Sequence, residues 1–408
     1  MKKIILSMAL AMSVAGAFGQ QANVKQAKSK ASSGDFAAAR ELIKQALVNS
    51  ETANQAETWY VAGLIGEKEN DALWIKSKQG QDYDKMAKGN AMVESIGYYL
   101  KADELGQIPD EKGKVKNKYR KDITTAIKNY YTNADHLYTY FAELYDGKKN
   151  KEAYDLAQLY LSIPELPIMQ QQGVKIAKDT VAYTIQYYSG LAASKANMHE
   201  QAIAMFKKSI ADNFEKLACY QLISDDYKEM NDTANYVQTL KTGFAIFPKE
   251  PWFLQNLINH YVYSGQDTEA VKYLDNAIAN EPNVAEYYYV KGQLESKLKN
   301  AAEAEANYNK ALTINPDFAG AYAGKGYLIF NQAVKIIEDA GLIKDNVKYQ
   351  AEIDKANTMM RQSLPLLEKA VQLNDKEVEY LENLKQVYYR LDMMDKYTEV
   401  KAKIDALK

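Results

Sequence analysis

The chain has 408 residues, with 51 Lys and Arg against 53 Asp and Glu, for a formal net charge of −2. That balance excludes a general nucleic-acid binder, which carries a basic excess. A single Cys rules out an intramolecular disulfide, and a chain of this length buries a large core without one.

The first segment, MKKIILSMALAMSVAGAFGQ, has Lys2 and Lys3, an apolar run from Ile4, and small residues at Ala17 and Gly19. This is the layout of a bacterial export signal over residues 1–19, with Gln20 first in the mature chain. No Cys lies near the cut, so no lipid is expected there. No other window holds the roughly 18 uninterrupted apolar residues of a membrane span. The expected location is therefore the periplasm or the exterior. Losing Lys2 and Lys3 takes the net charge from −2 to −4.

From there the chain reads as helical to its end, with only 8 Pro and no Gly/Ser-rich linker. Residues 20–160 form a first region. SGDFAAARELIKQAL supplies Phe36, Ala39, Ile43 and Ala46, and WYVAGL supplies Trp59, Ala62 and Gly63. An insertion is expected near 67–90, then a helix carrying Tyr99 and Ala102. A third pair follows, its first helix longer than standard and its second marked by Ala153. Between them, Lys112, Lys114, Lys116, Lys118, Arg120 and Lys121 form a basic run. It reads as a solvated helix start, because alternate residues do not share one side of a helix. Cys219, in KLACYQL, reads as core filler.

Residues 161–318 are the most regular. Pro248, Pro282 and Pro316 recur every 34 residues, and Gly243, Ala277 and Ala311 each lie five before them. Tyr288, Gly292, Ala304, Tyr308, Ala311 and Pro316 mark one unit. Leu254, Leu257, Tyr261, Ala270, Leu274, Ala277 and Pro282 mark the one before, with Ile258 in place of the Gly. Tyr220, Ile223, Ser224 and Tyr227 open an earlier unit, and Gly190, Ala202 and Phe206 belong to another. In residues 319–408, Tyr322 and Gly326 begin a unit whose second helix resumes only at Leu367 and Ala370. The extra residues, 331–360, should lengthen both helices and their turn. The last stretch has the frequent Lys and Glu of a terminal cap.

This period and residue pattern resembles the tetratricopeptide repeat family. The resemblance implies an all-α, right-handed superhelix of about seven or eight helix pairs, with irregular extended units. Small residues stand where paired helices cross closely, and stacking buries the apolar stripe that one pair leaves open.

Catalytic chemistry has no foothold. His136, His199 and His260 are far apart, with no second ligand at metal spacing. Gly63 and Gly66 lack the Lys and Ser/Thr of a phosphate loop and read as packing or turn glycines. His199 and the pair Asp225–Asp226 read as solvated surface. No enzyme activity, cofactor or metal is expected.

The family resemblance places a binding groove on the inner face of each first helix. Carried over, its positions are Tyr187, Gln221, Asp225, Trp252, Gln255, Asn259, Glu286, Tyr289, Gln293 and Tyr327. Aromatic rings with amides suit a protein or peptide partner, or alternatively a glycan in an envelope accessory protein. The bland counterpart is that Trp252 and Tyr289 merely pack between helices. Gln255 stands where chaperone-tail adaptors of this family carry a clamp Lys, so that function is not carried over.

Overall fold

The computed structural model describes residues 17–407, with side chains from residue 20 on. The expected export signal lies outside the described residues, except that Ala17–Gly19 open the first helix. The fold is all-α, with no strand among the described residues.

Two compact units divide the chain, one through Asn231 and one from Asp232. The first contains α1 (Ala17–Ser32), α2 (Phe36–Val48), α3 (Ala56–Lys78), α4 (Lys85–Gly106), α5 (Arg120–Thr132), α6 (Leu137–Asp146) and α7 (Asn150–Ser162). It continues with the short α8 (Pro167–Gln171), α9 (Thr180–Lys195), α10 (His199–Ala211) and α11 (Lys216–Glu229). The second contains α12 (Thr233–Ile246), α13 (Pro251–Tyr263), α14 (Asp267–Asn280), α15 (Ala285–Lys297) and α16 (Ala301–Ile314). It ends with α17 (Ala319–Ala340), α18 (Asn346–Leu373), α19 (Val378–Arg390) and α20 (Met394–Leu407). Helix hairpins are the repeated element: α1/α2, α3/α4, α6/α7 and α9/α10 pair in the first unit. In the second, α13/α14, α15/α16, α17/α18 and α19/α20 do so, and each pair packs on the next through α14–α15, α16–α17 and α18–α19.

Local chemistry sets the ends. Asp35, Asp84, Asp179, Asp232 and Asp345 cap α2, α4, α9, α12 and α18 by accepting backbone N–H groups of the first turn. Asn197, Asn231, Gly265 and Lys299, just before α10, α12, α14 and α16, have φ of 57°, 57°, 71° and 64°. These four left-handed residues stand 34 apart, so the period is written in the turns as well as in the core. Asn and Gly tolerate this backbone better than other residues.

Packing within pairs follows a trade of small against large. A Cβ added to Gly190 would lie 2.6 Å from the Phe206 ring, and one added to Gly292 would lie 2.7 Å from the Tyr308 ring. Where α13 carries Ile258 instead of Gly, its α14 counterpart is the smaller Leu274, fully buried at 0% exposure. Gly292→Ala should therefore press on Tyr308 and cost about 1–2 kcal/mol, read as a lower urea midpoint at constant slope. An unchanged midpoint would mean that α15 and α16 do not cross there.

Two hairpins are longer than the others. α3 and α4 have 23 and 22 residues, and α17 and α18 have 22 and 28, against 13 or 14 in α13–α16. The residues near 67–90, expected as an insertion, thus extend both helices around a short turn that includes Gly80. The expected long helix over the third N-terminal pair is instead broken at residues 133–136 into α5 and α6. The Asn133 carboxamide accepts the backbone N–H of Asp135, a local bond that competes with the helix ladder. A helix goes unread before Phe36: α1 packs on α2 and α3 through Val24, Ala27 and Ala31, each at most 2% exposed.

Candidate binding surface

In the second unit, α13 starts at Pro251, and Glu250 accepts the Trp252 N–H at 3.3 Å. This start turns Phe253, Leu254, Leu257 and Tyr261 inward and leaves Gln255 and Asn259 exposed. Trp252 is half-buried, edge-on to Phe253 at 5.2 Å. One period later, α15 buries Ala285 and Gly292 and exposes Glu286 and Gln293. The expected residues on α13 and α15 thus alternate between half-buried rings and exposed polar groups.

Tyr289 is bound into its surroundings. Its ring lies 5.0 Å from Phe318 and 6.3 Å from Tyr308, and its hydroxyl accepts from Gln293 Nε2 at 2.8 Å. Burial pushes the phenol up to about 12, with Tyr380, Glu379 and Glu377 adding to the effect. A Cβ on Gly320 would lie 3.0 Å from Tyr289 and 3.2 Å from the Tyr380 hydroxyl. The rings from α15 and α19 therefore converge over α17, which sequence reading missed. Gly320 was the available signal, because it stands one period after Glu286 with no side chain to fill the space. Tyr327 is half-buried, 6.2 Å from Phe330, in the apolar cluster of α17–α20.

In the first unit, Tyr187 packs against Phe206 and Phe214 at 6.0 and 6.1 Å, and Tyr188 meets it edge-on. Gln221 is half-buried and Asp225 exposed. Two residues read as solvated are not. Asp226 is 1% exposed, and accepts from Ser194 Oγ at 2.8 Å and pairs with His199 Nδ1 at 2.7 Å. Burial raises its pKa, with His199 and Ser194 opposing. Because serine bonds the carboxylate rather than the imidazole, the trio lacks the relay of a nucleophilic triad. Cys219 is fully buried, which pushes its thiol up to about 12 and leaves it inert.

The basic run also changes character. Lys112, Lys114, Lys116 and Lys118 lie in the segment between α4 and α5 rather than at a helix start. Lys116 pairs with Asp110 at 2.8 Å, Lys118 lies over the Tyr119 ring, and the Arg120 side chain is largely buried 3.4 Å from Asp103. At the other end of the chain, a cleft of about 400 Å³ between α18, α19 and α20 has Val371, Leu381, Leu384 and Val400 on its walls. Lys396–Glu368 and Lys403–Asp375, both at 3.0 Å, join α20 to α18 and to the turn after it. Among the described residues, no group of three or more His, Cys, Asp or Glu could hold a metal ion.

Residues 256–318 match the sequence profile of the family described as tetratricopeptide repeat. No curated protein matches the chain. Solved structures with similar helices include a TPR repeats protein from Bacteroides fragilis, 19% identical, covering 65% of this chain and 98% of that one, at a TM-score of 0.32. The C-terminal part of a TPR repeat-containing protein from Cytophaga hutchinsonii is 12% identical, covering 66% and 95%, at 0.41. MamA from Desulfovibrio magneticus is 19% identical, covering 47% and 95%, at 0.34.

Proposed function

We propose that the chain, whose residues 256–318 match the tetratricopeptide repeat profile, is a non-enzymatic scaffold, exported from the cytoplasm, that holds a protein or peptide partner on the first-helix faces of its repeats. The observation that carries this reading is the polar face of α13 and α15. Gln255, Asn259, Glu286 and Gln293 are exposed beside the half-buried rings of Trp252 and Tyr289. Half-buried aromatics give contact area at low entropic cost, and amides pair with the backbone of an extended segment. A glycan fits less well, because stacking on a sugar needs an open ring face and Tyr289 is engaged by Phe318, Tyr308 and Gln293.

A pull-down from the native envelope with the chain beginning at Gln20 identifies the partner. Trp252→Ala should then weaken binding by about 2 kcal/mol or more, some 30-fold, while the helical circular-dichroism spectrum is retained. Equal affinity for the wild type and a Trp252→Ala/Gln255→Ala variant would move the site off α13.

Export has its own check. A cut after Gly19 leaves Val24, Ala27 and Ala31, the buried residues of α1, in the mature chain. Intact mass of the envelope-derived protein should show a terminus near Gln20, and a retained Met1 would refute export by cleavage. No helix of the described residues is long and apolar enough to cross a membrane.

A further inference from the structure

Where the long α3/α4 hairpin meets the break between α5 and α6, three buried nitrogen-bearing side chains converge on a space of about 10 Å³, which Tyr83, Thr139 and Glu143 also line. Asn70 from α3, Lys88 from α4 and His136 from the break line it, at 0%, 7% and 3% exposure. Asn70 Nδ2 donates to the Lys88 carbonyl at 3.0 Å, but Asn70 Oδ1 has no donor. His136 Nε2 faces the Asn129 amide nitrogen at 3.4 Å and accepts from it, so the neutral ring carries its proton on Nδ1, which has no acceptor. Lys88 Nζ donates to the Asp135 carbonyl at 2.5 Å and has two further N–H groups.

We infer that this space is a binding site for one internal water molecule, which accepts from His136 Nδ1–H and donates to Asn70 Oδ1, with Lys88 beside it. The donor set decides the occupant. A metal cation is repelled by the Lys88 ammonium, and the one carboxylate on the lining, Glu143, is already paired with Lys85. An anion would meet the Asn70 oxygen. A volume of about 10 Å³ is that of a single water probe. A buried donor and a buried acceptor left without partners are both costly, and one water satisfies the two together. The water ties the extension of α3/α4 to the α5–α6 break, where Lys85–Glu143 at 2.5 Å and the Trp74 Nε1–Asp135 bond at 3.1 Å also join the two.

A crystal structure of the wild-type protein near 1.5 Å resolution tests it, together with water ¹⁷O relaxation dispersion in solution. The expected result is one well-ordered peak within hydrogen-bonding distance of both Asn70 Oδ1 and His136 Nδ1. Asn70→Leu should remove that peak and one long-lived water from the dispersion amplitude, whereas Asn70→Asp, which keeps the acceptor, should retain both. The inference is overturned if the wild type shows a direct Asn70–His136 bond with no peak, or if Asn70→Leu leaves the amplitude unchanged. The wild-type crystal structure decides even if the leucine variant does not fold.

Discussion

Gly66→Leu is expected to cost about 3 kcal/mol or more of stability, the largest loss of any single glycine replacement along α3. A Cβ at Gly66 would lie 2.4 Å from the carbonyl oxygen of Ala91 on α4, and 3.2 Å from both the Ser95 N and Cβ atoms. The first neighbour is backbone inside a helix, so no rotamer change relieves the clash, and α3 and α4 would have to part along their length. Gly63, one turn earlier, is different in kind. Its added Cβ would meet the ring of Tyr99 at 2.4 Å, and a side chain can give way at lower cost. Gly97 on α4 is the control, since nothing lies within 4 Å of its added Cβ and the residue is exposed. Gly97→Ala should be neutral or stabilising by about 0.5–1 kcal/mol, because alanine loses less entropy in a helix. Urea unfolding of the three proteins separates these effects, and equal midpoints for Gly66→Leu and Gly97→Ala would show that α3 and α4 do not cross at Gly66.

Sequence reading goes furthest where side chains alone carry the repeat. Gly292, Ala304, Tyr308 and Ala311 each face a neighbouring helix in every unit that has them, and all four are buried. The 34-residue phase follows from that. Helix α1 escapes the same reading for a physical reason: its buried apolar residues are only Val24, Ala27 and Ala31, and nearly all the rest of QQANVKQAKSKAS is polar. The break between α5 and α6 is invisible to periodicity because apolar residues continue on both sides of it, from Tyr130 and Tyr131 to Leu137. Its signal is the Asn133–Asp135 turn, a local hydrogen bond rather than a pattern.

The candidate surface was legible only as a register. Repeat phase identifies which positions on α13 and α15 can face outward, and Gln255, Asn259, Glu286 and Gln293 are exposed. It does not say what a neighbouring element does to a ring. Phe318, in the turn before α17, and Tyr380, on α19, engage Tyr289 from outside its own hairpin. Likewise Asp226 and His199 look solvated in sequence, because the contact that buries them joins α11 to the start of α10. Pairings of this sort depend on how hairpins stack, and no spacing within a hairpin encodes them.

His136 should make the protein lose stability in mild acid. Burial, then the nearby positive charge of Lys88, lowers its pKa from 6.5 to about 4, with Asp135 opposing and Lys78 adding a smaller push downward. Tyr130 and Trp74 pack on the ring at 5.4 and 6.0 Å, and neither offers a charge to stabilise an imidazolium. Protonation would also turn Nε2 from acceptor to donor and break its contact with the Asn129 amide. The unfolded chain takes up this proton near pH 6.5 and the folded chain only near pH 4. Stability from the neutral ring is therefore full above about pH 6.5 and is lost as the pH falls to about 4. The gap corresponds to about 3 kcal/mol at complete burial, and to about 2 kcal/mol once solvent screening of the partly buried site is allowed for. Raw acid stability will not isolate it, since burial raises the pKa of Glu67, Asp71, Asp103 and Asp226, which favours the folded state as pH falls. The difference in unfolding free energy between wild type and His136→Gln removes those terms. It should shift by about 2 kcal/mol between pH 7 and pH 4, against the wild type at the acid end, and a difference constant across that range would mean that the folded protein leaves the ring's pKa unchanged.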